Sequence, residues 1–172
     1  MARKKDAGDA PTPAVAALTR ADAVHTLHRV EIDDGHTAAD AVGVGERMAT
    51  ALGVEPARVF KTLMVQVPDG SLAACVVPVS GRLDLRAAAK ALGAKKAVMA
   101  DREEAERRTG YVRGGISPFG QRQRCPVLVD ESVLNWATVF VSGGQRGLDI
   151  EIAPADLVRV ADATVAPIER GP

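Results

Sequence analysis

The order of the predicted elements indicates an α+β fold, in which helices are interleaved with antiparallel hairpins around a mixed or antiparallel sheet. Two pairs of apolar segments are each joined by turn residues, Pro68-Asp69-Gly70 in the first pair and the glycine-rich run 142–147 in the second. Segment 72–79 of the first hairpin is almost wholly apolar, which is typical of a central strand buried on both faces.

Each predicted helix has a recognisable start or stop signal. Thr12-Pro13 supplies an N-cap hydroxyl followed by proline, and Asp101 caps the fourth helix, whose acidic first turn and basic last turn suit the helix dipole. Gly53 and Gly93 end the second and third helices. The first predicted helix starts at residue 12. The other four predicted helices cover 37–52, 85–92, 101–108 and 154–160.

The strands are predicted from alternation and from β-branched or aromatic residues. The first of them, which alternates imperfectly, ends at a turn signal over 33–35, and Asp130 is expected to cap a short helical turn. The first helix is expected to turn Val15, Leu18 and Val24 towards the core. The predicted strands are 25–32, 59–67, 72–79, 97–99, 127–129, 137–141 and 148–152.

Length and composition exclude several functional classes. The 172 residues suffice for one domain, and 22 basic residues balance 22 acidic ones, which argues against a protein that coats nucleic acid non-specifically. The first residues lack the apolar core of a secretory signal, and no apolar run is long enough to span a membrane. We therefore expect a cytoplasmic protein with reduced thiols, no membrane association and a disordered tail over 1–11.

The loop over 109–121 organises the chain because it holds four glycines and Pro118 without any helical period. Apolar residues such as Tyr111 and Phe119 anchor it, so we expect an ordered loop that presents backbone groups to a ligand. The alternative is a rigid surface loop that binds no ligand.

Lys61 lies within a strand whose other residues look buried, so its ammonium needs hydrogen-bond acceptors. By alternation it shares a face with Val59, Leu63 and Val65. The alternative is an edge-strand lysine that reaches water.

Asp149 follows the glycine-rich turn inside a predicted strand, where aspartate is disfavoured. A carboxylate that accepts hydrogen bonds from Lys61 or from loop amides would explain its position. The alternative is a carboxylate that accepts from the N–H groups of the turn itself.

The remaining reactive side chains give little evidence of catalysis. Neither Ser117 nor Ser142 lies in a Gly-x-Ser-x-Gly motif, and the three histidines do not have metal-ligand spacing, so we expect them to be solvated or capping. Cys75 is expected in the core, and Cys125 has no neighbouring histidine to activate it.

Basic residues bracket the long loop although the chain is neutral overall. This asymmetry indicates a phosphate-bearing partner near the loop, and the alternative is a solvated charged face. The residues concerned are Arg86, Lys90, Lys95, Lys96, Arg107, Arg108, Arg113, Arg122 and Arg124.

Several segments, taken together and in order, carry a family resemblance. The most specific are Gly-Ile-Ser-Pro within the long loop and Ser-Gly-Gly-Gln-Arg-Gly-Leu-Asp at 142–149. The others are Thr-Pro-Ala-Val at 12–15, Val-Phe-Lys-Thr-Leu at 59–63, Gly-Arg-Leu-Asp-Leu at 81–85 and Lys-Ala-Leu-Gly-Ala-Lys-Lys at 90–96. Over residues 12–168 the chain resembles the YbaK/EbsC family of aminoacyl-tRNA editing proteins, and within it the bacterial Cys-tRNA(Pro) deacylases.

The resemblance implies a mixed, curved β-sheet around a small pocket with flanking helices, in a single editing domain over 12–168 followed by a tail over 169–172. It implies hydrolytic removal of a mischarged amino acid from tRNA without metal or cofactor. Lys61 and Asp149 match the family's catalytic residues. The substrate-binding residues that it implies are Gly114, Gly115, Ile116, Ser117, Pro118, Ser142, Gly143 and Val30.

In the cysteine-specific members of the family, the thiol of the substrate attacks its own ester carbonyl. The resemblance therefore implies deacylation of Cys-tRNA(Pro), and also of Cys-tRNA(Cys), in trans by a monomer or weak dimer that works with prolyl-tRNA synthetase. Two alternatives stay open: deacylation of another small amino acid such as alanine, and a non-catalytic module that binds aminoacyl-tRNA or a synthetase.

The chain departs from the family at one wall of the expected pocket. Relatives often carry an aromatic residue where this chain has Val30, and residues 36–52 contain no aromatic residue. The region between Val30 and Phe60 is also a few residues longer here. The resemblance alone therefore leaves open the wall formed by residues 30–52 and the amino acid that is removed.

Overall fold

The computed structural model describes residues 10–32 and 40–172, and for residues 40–42 it describes the backbone alone. Its helices are α1 (Pro13–Arg20), α2 (Asp40–Leu52), α3 (Leu85–Ala91), α4 (Arg102–Thr109) and α5 (Pro154–Ala161). Its strands are β1 (His25–Arg29), β2 (Phe60–Gln66), β3 (Leu72–Pro78), β4 (Arg82–Leu83), β5 (Val98–Met99), β6 (Val127–Asp130), β7 (Val139–Gln145), β8 (Leu148–Ile152), β9 (Ala163–Ala166) and β10 (Glu169–Arg170).

The strands form a mixed sheet and two smaller antiparallel sheets, which confirms the α+β class. The mixed sheet has the order β5-β2-β3-β6-β9, in which β2 pairs antiparallel with β3 and β5, whereas β6 runs parallel to both of its neighbours. Strands β1, β8 and β7 form the second sheet, and β10 pairs with β4. A parallel bridge between Val59 and Phe140 joins the first two sheets.

Strand β3 is the centre of the core, as its apolar sequence predicts. All seven of its residues are buried. Ala74 and Val76 pack into a cluster with residues of the three-stranded sheet such as Ile150, whereas Cys75 and Val77 pack on the opposite face with residues of α3. Burial on both faces explains why the segment has no polar alternation.

The helix caps form as the sequence predicts. The Thr12 hydroxyl accepts from the Val15 amide, and the Asp101 carboxylate accepts from an amide in the first turn of α4. Asp84, for which no cap was predicted, likewise accepts from amides in the first turn of α3. Gly110, in the left-handed conformation, ends α4. Within the described ranges, 10–32 and 40–172, no helix is both long and apolar enough to cross a membrane.

Two predictions for the N-terminal region are wrong. Val24 is 84% exposed, because α1 ends at Arg20 and a turn with a left-handed Asp22 separates Val24 from the helix. Strand β1 was predicted to reach residue 32 but ends at Arg29, because its pairing with β8 stops there. The predicted turn over 33–35, the start of the helix predicted at residue 37 and most of the predicted N-terminal tail lie outside the described residues.

The second hairpin and the C-terminus also differ from the sequence prediction. Strand β7 continues through a bulge to Gln145, so that the connection to β8 is shorter than the predicted turn over 142–147. Strands β4, β9 and β10 were not predicted, and β10 lies within the predicted tail 169–172. Asp130 holds this end in place, because its buried carboxylate accepts hydrogen bonds from the amides of Ile168 and Glu169 at 2.9 and 2.8 Å.

The long loop is ordered through contacts of its own side chains and with α1. The Tyr111 hydroxyl donates to the Phe119 carbonyl at 2.6 Å, and both residues are buried. Gly120 has φ +63°, and a Cβ at this position would collide with the backbone of Pro13. The loop is therefore fixed directly against the start of α1.

We predict that Gly120→Ala destabilises the protein more than Gly93→Ala. Both glycines are left-handed, but a Cβ at Gly93 meets no atom within 4 Å. Gly93→Ala is the control: it should lower the free energy of unfolding by about 1 kcal/mol, the cost of a left-handed backbone at a residue with a Cβ. Gly120→Ala adds a collision with Pro13, which should cost about 1–3 kcal/mol more. Urea unfolding monitored by circular dichroism would give both values, and equal losses would contradict the tight loop–helix contact.

Candidate active site

A cavity of about 550 Å³ lies between β2, α2, the long loop and the β7–β8 hairpin. Five residues predicted from the sequence line it: Lys61, Gly114, Ile116, Ser142 and Asp149. The cavity opens beside β2 because β5 pairs only with Val65 and Gln66, whereas β3 pairs with the whole of β2 on its other edge. Among the described residues, the first half of β2 therefore presents an unpaired edge to the cavity between β5 and the Phe140 bridge.

Lys61 is half-buried at this edge, and its ammonium donates to the carbonyl of Gly81 at 3.0 Å. Burial lowers the pKa of Lys61, and Arg82 adds to this effect. Glu46 and Glu169 act in the opposite direction and favour the charged ammonium. An ammonium has three N–H donors, so one bond to Gly81 leaves further donor capacity at the cavity wall.

Asp149 is only 8% exposed and lies across from His28 of β1 and Ser142 of β7. Burial raises the pKa of its carboxyl from 3.8 to about 7. The described residues provide no hydrogen bond or ion pair to this carboxyl, so the expected bonds from Lys61, loop amides or the turn are all absent from the described part of the chain. The physical reason is placement: Asp149 lies on the three-stranded sheet, and the ammonium of Lys61 is bonded to Gly81.

The other residues predicted to bind substrate lie outside the cavity lining. Gly115 packs against the backbone of Gln145, and the Ser117 hydroxyl is buried and accepts from the Phe119 amide. Pro118 is buried beside them. These three residues shape the loop that presents Gly114 and Ile116.

Gly143 and Val30, which were also predicted to bind substrate, form hydrogen bonds through their backbone groups. The Gly143 carbonyl accepts from the Thr12 hydroxyl at 2.5 Å, which ties the hairpin to α1. The Val30 amide donates to the Gly147 carbonyl at 2.8 Å, next to the cavity. Ile32, two residues further along, lies in the lining itself.

Sequence reasoning missed the apolar wall and one polar group. Ile32, Met48 and Met64 line the cavity, and Met48 comes from α2, so the wall that the sequence left open is aliphatic. Thr62 also lines the cavity, and its buried hydroxyl has no hydrogen-bond partner among the described residues. Alternation turns Lys61 and Thr62 to opposite faces of β2, so no signal in the sequence indicated that Thr62 would share the cavity with Lys61.

Arginines surround the cavity near the long loop. Arg102 and Arg113 belong to the lining, and the side chain of Arg146 donates to the Arg113 carbonyl at 3.0 Å. Glu106 accepts from the Arg102 side chain and the Arg113 amide, at 3.3 and 3.0 Å. Glu106 thus bonds to both Arg102 and Arg113 at this rim of the cavity, beside the side chain of Arg146.

The histidines and cysteines have other surroundings. His25 bonds to the Ala23 carbonyl and His28 to the Glu151 carboxylate, whereas His36 lies outside the described residues. Burial raises the pKa of Cys75 to about 12 and raises that of Cys125, which disfavours a thiolate at both positions. No group of three or more potential metal ligands occurs in the part of the chain that the structure describes.

Comparisons with known proteins point to one family. Residues 39–160 match the model of the aminoacyl-tRNA editing domain. The chain is 37% identical over 123 residues to EbsC of Enterococcus faecalis, to which Cys-tRNA(Pro)/Cys-tRNA(Cys) deacylase activity is attributed; the match covers 72% of this chain and 75% of EbsC. YwhH of Bacillus subtilis, an uncharacterised protein, is 29% identical over 65% of this chain and 71% of its own.

Solved structures show the same fold. A candidate trans-editing enzyme for prolyl-tRNA synthetase superimposes with a TM-score of 0.77 and 26% identity, and the match covers 91% of this chain and 94% of that one. A hypothetical protein, 24% identical, superimposes with a TM-score of 0.80 over 92% of this chain and all of its own.

We predict that Asp149→Asn changes how stability depends on pH. In the folded protein Asp149 has a pKa of about 7 against 3.8 ordinarily, so between these values the folded state binds more protons than the unfolded state. Wild-type stability should therefore fall with rising pH in this window, with a contribution of up to about 1.4 kcal/mol per pH unit from this group. The asparagine variant should lose that contribution.

Urea unfolding at pH 4, 5.5 and 7.5 would measure the difference. The stability of Asp149→Asn relative to wild type should increase with pH, whereas the exposed control Asp22→Asn should keep the wild-type slope. A wild-type slope in Asp149→Asn would show that the buried carboxyl does not titrate near neutrality.

Proposed function

Because the chain belongs to the aminoacyl-tRNA editing domain family, we propose that it is a deacylase that removes cysteine from mischarged Cys-tRNA(Pro) and from Cys-tRNA(Cys). The observation that carries this proposal is the cavity in which Lys61 and Asp149 are brought together without bonding to each other. Such a site offers a positive charge and a proton-exchanging carboxyl to one small substrate.

The proposed nucleophile is the substrate's own thiol, as the resemblance to the cysteine-specific members of the family implies. The described lining offers no cysteine or histidine, and the hydroxyl of Ser142 already accepts from the Gly144 amide. The thiol sulfur attacks the ester carbonyl, and the C–S bond forms as the ester C–O bond breaks. The thiol proton ends on the departing tRNA hydroxyl, and water then opens the resulting thiolactone to free cysteine. Such an intramolecular reaction asks the protein mainly to position the substrate.

Lys61 and Asp149 have complementary proposed roles. The ammonium of Lys61 lies at the cavity wall and stabilises the negative charge that develops on the carbonyl oxygen. Asp149, with a pKa of about 7, exists in both protonation states near neutral pH. It accepts the thiol proton as a carboxylate and returns it to the leaving hydroxyl as an acid.

The cavity size and lining support an aminoacylated nucleotide end as the ligand. At about 550 Å³ the space lies in the range for small-molecule sites, and it exceeds what one cysteine side chain needs. The aliphatic wall formed by Ile32, Met48 and Met64 suits the apolar faces of a ribose and a base. Discrimination by size alone is weak, which favours a chemical criterion such as the substrate thiol.

The remaining parts of the proposal concern partners. Arg102 and Arg113 of the cavity lining are the groups proposed to meet the phosphates of the tRNA end, while zero net charge agrees with a weak intrinsic affinity for RNA. Prolyl-tRNA synthetase is the proposed partner that supplies the tRNA in trans, in line with the description of one structural neighbour. We propose that the protein acts in the cytoplasm as a monomer or weak dimer.

Hydrolysis of matched substrates tests the proposal. Purified protein should release cysteine from Cys-tRNA(Pro) at least about tenfold faster than serine from Ser-tRNA(Pro), because the hydroxyl of serine is a much poorer nucleophile than a thiol. Alanine-charged tRNA(Pro) serves as the control that has no nucleophile. Equal loss from all three would indicate attack by water, selective loss of alanine would indicate a different substrate, and no loss would favour a binding module.

A further inference from the structure

The C-terminal strand β10 brings the carboxylate of Glu169 against Gly81, the residue whose carbonyl accepts from Lys61. Its two residues pair with β4, Glu169 with Leu83 and Arg170 with Arg82, beyond the segment 39–160 that matches the family model. The Ile168 side chain is fully buried, and the Asp130 carboxylate holds the amides of Ile168 and Glu169. The backbone of Glu169 is therefore fixed by buried contacts.

Gly81 separates Glu169 from Lys61. The Gly81 carbonyl accepts the hydrogen bond of the Lys61 ammonium at 3.0 Å. The Glu169 carboxylate lies against the Cα of the same residue, where a Cβ would overlap it. Gly81 thus has the lysine ammonium at its carbonyl and the Glu169 carboxylate at its Cα, and a side chain at this position would displace the carboxylate.

The charges around Lys61 come from three elements. Glu46 of α2 and Glu169 of β10 favour the charged ammonium, and Arg82 of β4 disfavours it. Glu169 itself faces Lys61 and Asp130: burial and the repulsion of Asp130 raise its pKa, and Lys61 lowers it. Lys61 and Glu169 therefore stabilise each other's charged forms without a direct ion pair.

We propose that Glu169 is a positioning residue for Lys61, which keeps the ammonium charged and directed along the Gly81 carbonyl, so that the C-terminal strand is a working part of the site. This inference rests on the role of Lys61 in the proposed function. Glu169 acts through the lysine and does not touch the reacting atoms. A chain that lacks β10 would still contain Lys61, but with one fewer negative charge to support it.

The direct test is an NMR titration of the Lys61 side chain, labelled with ¹³C at Cε, in wild type and Glu169→Gln. The amide preserves size and removes the repulsion by Asp130, so the variant should fold. Loss of the carboxylate should lower the pKa of Lys61 by about half a pH unit or more. Glu103→Gln, at an exposed position on α4, is the matched control and should leave the titration unchanged. Glu169→Asp, which retains the charge, should keep the pKa of Lys61 close to its wild-type value.

Kinetics with Cys-tRNA(Pro) extend the test to catalysis. In Glu169→Gln the ratio of kcat at pH 9 to kcat at pH 7 should fall, by up to about threefold for a shift of half a pH unit, after correction for spontaneous hydrolysis, while KM changes little. An unchanged Lys61 titration in Glu169→Gln would overturn the inference whatever the activity. A shifted titration with an unchanged kcat ratio would overturn its catalytic relevance. An inactive wild type would count against the proposed function alone, because the titration does not depend on turnover.

Discussion

The unpaired edge of β2 is the constraint on which the site depends. One edge of β2 is fully paired with β3, but on the other edge β5 covers only Val65 and Gln66, and Phe140 bridges only to Val59. Between these two points the described structure leaves a gap, and the cavity fills it. Lys61 and Thr62 occupy this gap, so the interruption in strand pairing places both groups at the cavity wall.

The gap is stable because its two ends are firmly packed. At one end Val59, Phe140 and Val79 form a small buried cluster with Ala49 of α2, and the Val79 amide donates to the Val59 carbonyl at 2.8 Å. At the other end the Ala100 amide donates to the Met64 carbonyl at 3.0 Å. Rigid surroundings of this kind are what an intramolecular reaction requires, because they fix the orientation of the substrate.

Lys61 and Asp149 have different electrostatic surroundings within the same cavity. Lys61 has acidic neighbours that support its charge, whereas Asp149 is buried without a described partner and has a pKa of about 7. If the two groups were paired, the lysine would lower the pKa of the aspartate and remove its capacity to exchange a proton near neutrality. Their separation within one cavity therefore has a chemical consequence, which pairing would abolish.

The sequence predicts features that depend on neighbouring residues, such as helix caps and strand burial. It misses features that depend on contacts between segments far apart in the chain. The caps at Thr12 and Asp101, the buried strand β3 and the need of Lys61 for a hydrogen-bond acceptor follow from residue type and spacing. The two-residue strands β4 and β10 are too short to show a period, and nothing local places Glu169 beside Gly81. A bond between Lys61 and Asp149, one of the alternatives that the sequence left open, does not form among the described residues, because alternation within each strand does not fix how two sheets are oriented.

The most direct test of the account is the rate of cysteine release by Lys61→Ala. Removal of the ammonium should lower kcat by about 10²–10³-fold, with cooperative unfolding preserved, since the charge that stabilises the oxyanion is lost. Arg20→Ala, which removes an exposed cation at the end of α1 outside the cavity lining, is the control and should keep wild-type activity. Near-normal turnover by Lys61→Ala would contradict the central claim that the lysine at the β2 edge polarises the ester.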